Sequence, residues 1–330
     1  MRSPNLSHGQ RDQKLPGDIL QDDTTPRGEK IAALMLVLAS VFWGFGFTWA
    51  KDVGDRINAA AGMGSEAMLG PVVGLSVRFL LGGLLWLAIF PSARRGWTLG
   101  TLWRGGMLGG FLGAAAVTQH VGLAQSSAAT LAFLTSLTVV IVPLMIAVGL
   151  RRLPKKRVVL AVAVATAGIW LLTGAKAQRP SVGELYGVAC AILYSVQLIL
   201  LNILAPGDSP MRLTPVIFLV TGLMSLASVA IAPGHASLPL SILATPQVAI
   251  DLALLTVFCT VVAFGSMTIF QPRIDPTRAT LIYLLEPIFA AAYAWVALGE
   301  VMTGAGAVGA VLILLANVAA EIDLFRRSES

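Results

Sequence analysis

Residues Arg278–Glu300 read RATLIYLLEPIFAAAYAWVALGE. The run is long enough to cross a bilayer, which takes about 20 apolar residues. One carboxylate, Glu286, stands near its middle and is followed at once by Pro287. A carboxylate in hydrocarbon costs roughly 3 kcal/mol or more unless it pairs, protonates or faces water. The proline removes a backbone N–H and frees a carbonyl one turn earlier, near Tyr283. Irregular backbone at membrane depth is tolerated where protein or a water-filled cavity surrounds it. This helix is therefore expected to face a polar interior at its midpoint.

Moved back by 150 positions, the stretch falls without a gap on Ala128–Leu150, AATLAFLTSLTVVIVPLMIAVGL. Ala129, Thr130, Leu131, Leu134, Ala147 and Gly149 recur as Ala279, Thr280, Leu281, Leu284, Ala297 and Gly299, and Phe133 answers Tyr283. The shift is close to half the chain, a repeat length that transporters use. The acid itself is not repeated: Ser136 stands in the position of Glu286.

The rest of the chain fits a membrane setting. Of its 330 residues 56% are hydrophobic and 12% charged, against about 25% charged in soluble proteins, and the mean hydropathy is +0.80. A soluble protein of this composition would expose an apolar surface throughout. The net charge of +6 reports basic loops on one side of the membrane, not a nucleic-acid partner. Cys190 and Cys259 both fall in apolar spans, without the spacing of a metal site. No cofactor motif, phosphate loop, zinc cluster or nucleophile elbow is present, which excludes an ATP-driven pump within this chain.

Residues 1–30 are polar, with five acidic and five basic side chains, and are expected to form a disordered tail. Ten spans follow, near 31–50, 71–91, 101–122, 127–149, 157–174, 183–205, 213–232, 247–270, 277–299 and 302–323. The segment 51–70, with Gly62, Gly64 and Gly70, is expected to be an irregular lid or a short interfacial piece. With the N-terminus in the cytoplasm, 18 of the Lys and Arg residues lie inside and 4 outside, with Arg78 within a span. Both termini are therefore expected in the cytoplasm of a multi-pass cell-membrane protein. Five spans per half, an odd number, would make the halves inverted copies: a first repeat over 31–175 and a second over 183–323, with a short tail at 324–330. The glycines at 105, 109 and 113, and at 183 and 187, suit close helix contact, within the bundle or between two copies of the chain.

Several motifs carry a resemblance. They are VFWGFGF at 41–47, Arg78-Phe79, FLTSLTVVIVP ending at Pro143, LLEPIFA around Glu286, and Leu298-Gly299-Glu300 before a glycine-rich last span. Together these resemble the EamA-domain branch of the drug/metabolite transporter superfamily. The resemblance implies an all-α membrane fold of ten helices in two inverted five-helix halves around a central cavity. It also implies transport of small metabolites, such as amino acids, amines, drugs, nucleotide sugars or sugar phosphates.

The candidate site residues are polar or aromatic groups at mid-depth. Glu286 could bind a proton or a substrate cation; alternatively it caps the backbone loosened by Pro287 or pairs with Arg78. Arg78 could hold a substrate carboxylate, pair, or snorkel to the surface. Trp43 and Phe47 share a helix face; Tyr194, with Gln197 one turn on, is their approximate counterpart in the second half. Tyr283 flanks the freed carbonyl, and Gln119 and His120 lie near the outer end of the third span. Such groups suit a pocket for a small organic ligand, and ordinary helix packing is the competing reading. Glu184, Asp251 and Glu300 fall at span ends and read as interfacial or capping groups. A phosphate-bearing substrate would require more buried cations than Arg78 alone.

The expected function is secondary transport, most readily export, of small organic metabolites by alternating access, with proton coupling open. The expected partners are a small-molecule substrate and the lipid bilayer, with no nucleic acid, the protein being a monomer or homodimer. The alternatives are a membrane enzyme or lipid-handling protein acting on headgroups, for which the loops show no clustered acids or histidines, and a non-transporting scaffold or sensor.

Overall fold

The computed structural model describes residues 26–149, 156–172, 181–274, 279 and 282–325. The expected polar tail lies outside these residues up to position 25. So do the basic loop at 150–155, the segment 173–180 with Lys176 and Arg179, Arg278, and the last five residues.

Every regular element among the described residues is helical. In chain order they are α1 (Pro26–Ala60), α2 (Leu69–Ile89), α3 (Leu99–Ala124), α4 (Ala128–Thr135), α5 (Thr138–Gly149), α6 (Lys156–Leu172), α7 (Val182–Leu204), α8 (Pro210–Ile231), α9 (Pro246–Leu254), a π-helix (Leu255–Phe264), α10 (Gly265–Phe270), α11 (Leu285–Leu298) and α12 (Gly304–Phe325). Seven helical stretches are long and apolar enough to cross a membrane, and three shorter apolar helices lie at 159–171, 285–298 and 304–316. These ten stretches fall at the ten expected positions. The chain is an all-helical, multi-pass membrane protein.

The first helix differs from expectation. It runs on to Ala60, through half of the segment read as an irregular lid. Glycine and charge mask a continuing apolar stripe there: Ala50, Val53 and Ile57 are all buried in one core with Leu69, Val72 and Val73 of α2. Arg56 and Asp52 pair at 2.6 Å, one turn apart on the opposite face. The connection that remains is short and is organised by Asn58, which is fully buried. Its Nδ2 donates to the carbonyls of Ala67 (2.8 Å) and Ser65 (3.3 Å), and its Oδ1 accepts from the Gly70 N–H (2.6 Å).

Glycine sets the tightest seams. A Cβ at Gly105 would lie 2.6 Å from Val216 Cβ, and one at Gly109 2.7 Å from the Ile217 carbonyl oxygen. Thr221 adds a hydrogen bond to the Gly109 carbonyl at 3.0 Å. The four-residue glycine row of α3 therefore seats α8 of the same chain, while Gly106 has no atom within 4 Å of a Cβ position. Gly183 and Gly187 of α7 are likewise used internally, against Gln125 and against Leu131 and Leu134.

The bundle closes through a few principal pairings: α2 on α8, α3 on α7 and α8, α6 on α12, and α1 on α11, on α2 and on the π-helix. Polar ties mark its ends. Ser181 and Glu184 form a reciprocal cap on α7, which is the capping role expected of Glu184. Lys51 donates to the Ser126 carbonyl at 2.8 Å and pairs with Glu300 at 3.6 Å. Glu300 in turn accepts from the Ala128 N–H at 3.5 Å, at the start of α4.

Candidate functional site in the bundle interior

Two helices are interrupted where they meet the middle of the bundle. The fourth span breaks between α4 and α5, at Ser136 and Leu137. Its hydroxyls turn back on the loosened backbone: Ser136 donates to the Phe133 carbonyl at 2.7 Å and Thr138 to the Thr135 carbonyl at 2.7 Å. The ninth span breaks at Leu284, just before α11, so that Glu286 and Pro287 fall in the first turn of that helix. The site of this break follows from Pro287, which cannot donate to a carbonyl one turn back. The break at Ser136 has no proline or glycine beside it in the sequence, and Pro143 lies farther on.

Between the two breaks lies a cavity of about 100 Å³. Its walls include Trp43 and Phe47 of α1, Arg78 of α2, Gln119 and His120 of α3, Tyr194 of α7, Cys259 and Phe264 of the π-helix, and Tyr283, Glu286 and Pro287 around the second break. Of the eight candidate residues read from the sequence, seven line this one cavity. The eighth, Gln197, does not. It is buried beside the cavity wall, and its Oε1 has no hydrogen-bond partner among the described residues. One turn of α7 separates it from Tyr194, but the face that reaches the cavity continues through Leu198.

The aromatic wall is held by specific bonds. The Trp43 ring stacks obliquely on Phe264 (4.7 Å between centroids) and on Tyr283 (5.5 Å). Tyr283 donates to Gln271 Oε1 at 2.9 Å, and Tyr194 to Gln119 Oε1 at 3.4 Å. His120 Nδ1 lies 2.9 Å from the Ala116 carbonyl, which can only accept, so this nitrogen carries the proton. His120, expected near the outer end of the third span, is 6% exposed and lines the cavity beside Gln119.

Arg78 is 5% exposed. Its Nε donates to Thr260 Oγ1 at 3.0 Å, and its guanidinium carbon lies 5.0 Å from the centre of the Phe79 ring. Thr260 Oγ1 donates in turn to the Leu255 carbonyl, 3.1 Å away and five residues back, an acceptor that the π-helical register presents. Glu286 has no hydrogen-bond or ion-pair partner among the described residues, and it does not pair with Arg78. The pairing considered from the sequence is therefore absent: one carboxylate and one guanidinium face the same cavity separately.

Sequence reasoning also missed Cys259, Phe264, Met267, Thr135 and Thr138 as wall residues. Apolar and hydroxyl side chains in a long apolar run carry no mark of the face they occupy. Only the pairing of α1 with the π-helix decides it. Among the described residues no group of three or more His, Cys, Asp or Glu side chains could hold a metal.

Comparison with known proteins agrees with this architecture. A solved structure described as "Crystal structure of protein" shares the fold at 20% identity, with a TM-score of 0.58 over 91% of this chain and 99% of that one. No curated protein matches. Residues 181–319, which carry Tyr194, Tyr283 and Glu286, match the EamA-like transporter family, and through this half the chain is similar to the EamA branch of the drug/metabolite transporters.

Proposed function

We propose that this protein is a secondary transporter that exports small organic metabolites by alternating access. The observation that carries the reading is the cavity itself. It lies at two helix breaks, is built from both halves of the chain, and holds among aromatic rings a carboxylate that has no partner among the described residues. Transporters build their substrate sites in this way, at discontinuous helices near the middle of the membrane. An intramembrane acid is costly to keep without a use, and Glu286 is the group assigned to a proton or a substrate cation.

Inverted halves are part of the proposal, and the packing supports them. Exchanging each span for its partner five spans on converts the α3–α7 contact into that of the ninth-to-tenth-helix segment with α1. It converts α1–α11 into α7 with α4 and α5, and returns α2–α8 and α6–α12 to themselves. Both halves also break the corresponding helix. Two arrangements related by such symmetry have similar energies, which is what opening first to one side and then to the other requires. The 18-to-4 division of basic residues supports a cell-membrane protein with cytoplasmic termini. The cavity is complete within one chain, so a monomer or a homodimer would serve.

The test is solute counterflow in proteoliposomes, wild type beside Glu286→Gln. Substrate-dependent flux in the wild type, lost in a variant that elutes as a folded protein, supports the reading. Absence of flux for every metabolite class in the wild type overturns it.

A further inference from the structure

Two charged side chains meet at the end of the bundle read as extracellular. Lys51, on α1, donates from Nζ to the Ser126 carbonyl at 2.8 Å and lies 3.6 Å from Glu300 Oε1. Glu300 Oε1 also accepts from the Ala128 N–H at 3.5 Å. The corner between α3 and α4 presents two helix ends to this pair. The carbonyl end of α3 meets the ammonium, and the N–H end of α4 meets the carboxylate. That is the match of signs that helix dipoles favour.

The contact crosses the mouth of the cavity. Lys51 follows Ala50, Ser126 stands three residues beyond Leu123, and Ala128 one turn before Ala132; Ala50, Leu123 and Ala132 all line the cavity. The two sides of the mouth are separate blocks. On one side α1 rests on α11, where a Cβ at Gly44 would lie 2.6 Å from Phe289 Cβ and 2.9 Å from the Glu286 carbonyl oxygen. On the other α3 rests on α7, where a Cβ at Gly183 would lie 2.7 Å from the Gln125 carbonyl oxygen and one at Gly122 3.0 Å from Tyr186 Cβ. Beneath the ion pair, Ala128 and Ala132 of α4 share a core with Ala290 and Ala294 of α11, small side chains that expose little area when parted.

The opposite end has no equivalent pair in the sequence. The 150-residue shift lays Glu300 on Leu150, and the correspondence of Trp43 with Tyr194 lays Lys51 on Asn202. Leucine and asparagine form no ion pair. Two arrangements that inverted halves would hold at similar energy are thus made unequal by a bond at one end. The geometry points to a one-sided strap: Lys51 and Glu300 close the extracellular mouth of the cavity, and breaking their contact with the α3–α4 corner is the step that opens it to that side. Parting the two blocks there pulls Lys51 from Ser126 and Glu300 from Ala128 together, so the two residues act as a unit. At rest this mouth stays shut. The inference rests on the alternating-access reading given above and adds to it the end that is latched.

The experiment needs no substrate. Leu123 lines the cavity at the strapped end and Met267 toward the opposite end. Leu123→Cys and Met267→Cys therefore serve as separate reporters, each in the full-length protein carrying Cys190→Ala and Cys259→Ser. A membrane-impermeant methanethiosulfonate is applied to whole cells for the first and to inside-out vesicles for the second. Lys51→Met and Glu300→Gln should each raise the labelling rate at position 123 by about threefold or more and lower it at position 267. Lys51→Arg keeps the donors and should label as its parent does. Combining Lys51→Met with Glu300→Gln should add little to either alone, because the two residues share one contact. A rise at both positions, which loosening of the whole bundle would give, overturns the strap. So does an unchanged rate at position 123 in variants that elute as folded protein. Opposite shifts at the two positions without counterflow of any metabolite would uphold the strap and overturn the transport reading instead.

Discussion

The indole N–H of Trp43 donates to the main-chain carbonyl of Cys259 at 3.1 Å, and the Cys259 thiol donates back to the carbonyl of Phe42 at 3.1 Å. Neighbouring residues of α1 thus strap that helix to the middle of the π-helix, where the wide register leaves carbonyls available for such bonds. Trp43→Phe keeps an aromatic ring beside Phe264 and Tyr283 but removes the side-chain donor to the Cys259 carbonyl. The expected cost is about 1–3 kcal/mol, read as a lower melting temperature in detergent. Trp43→Ala should cost more, because the ring contacts go as well.

The glycine row of α3 offers a paired test. Gly109→Ala places a methyl 2.7 Å from a backbone oxygen of α8, and backbone cannot move aside as a side chain can. A loss of about 1–3 kcal/mol is expected from overpacking. Gly110→Ala meets only Met224 Sδ at 4.0 Å and should be neutral or stabilising by up to about 1 kcal/mol, since glycine is the poorer helix former. Equal effects of the two substitutions in thermal unfolding would show that the seam is not where it is drawn.

Asp208, between α7 and α8, ties α3 to α8. Burial raises its pKa, but hydrogen bonds from Thr101, Arg212 and the Ser209 N–H outweigh burial and hold the carboxyl below its usual value of 3.8. Arg212 Nη2 lies 2.6 Å from Oδ1 and the Ser209 N–H 2.7 Å; the Thr101 hydroxyl donates to Oδ2. A depressed carboxylate adds stability that is fully present above pH 3.8 and is lost as pH falls through the lower folded-state value. Asp208→Asn should therefore lower the melting temperature at neutral pH, and the gap from wild type should close on acidification. A gap that is constant with pH would refute the assignment.

Asn58 should be as sensitive as any core residue although it sits at a loop. Asn58→Ala leaves the Gly70 N–H and two carbonyls without their partner, with an expected cost of about 2–3 kcal/mol. Limited proteolysis should then cut between residues 61 and 68 faster than in the wild type. Asn58→Asp keeps the acceptor for Gly70 but sets a buried carboxylate against the Ser65 and Ala67 carbonyls, so at neutral pH it should be at least as destabilising as Asn58→Ala.

Much of this was legible because membrane helices leave strong marks. The apolar runs placed the ten helical stretches, and the single acid beside a proline located both a helix break and a cavity wall. Trp43, Tyr194, Tyr283 and Arg78 stood out as polar or aromatic groups at mid-depth, and the fold brings them to one cavity. The failures share one physical cause. Ser136 and Leu137 break a helix without proline or glycine, and the Ser136 and Thr138 hydroxyls take up the loosened carbonyls. Phe264 and Cys259 face the cavity because a π-helix rotates them there. Gln197 faces away from it. Each depends on which helix lies alongside, which apolar periodicity does not encode when nearly every position is apolar.

The glycine contact of α3 with α8 has a mechanical meaning. At Gly109 the α3 main chain meets the Ile217 carbonyl of α8 directly, and Val216 and Met224 fill the places beside Gly105 and Gly113, so the two helices have little room to slide past one another. The two helices consequently travel as one plank in any rocking of the bundle, and the pivot must lie along contacts with side-chain slack. Spectroscopic labels at positions 106 and 110, on the open edge of that plank, would follow its motion without wedging it.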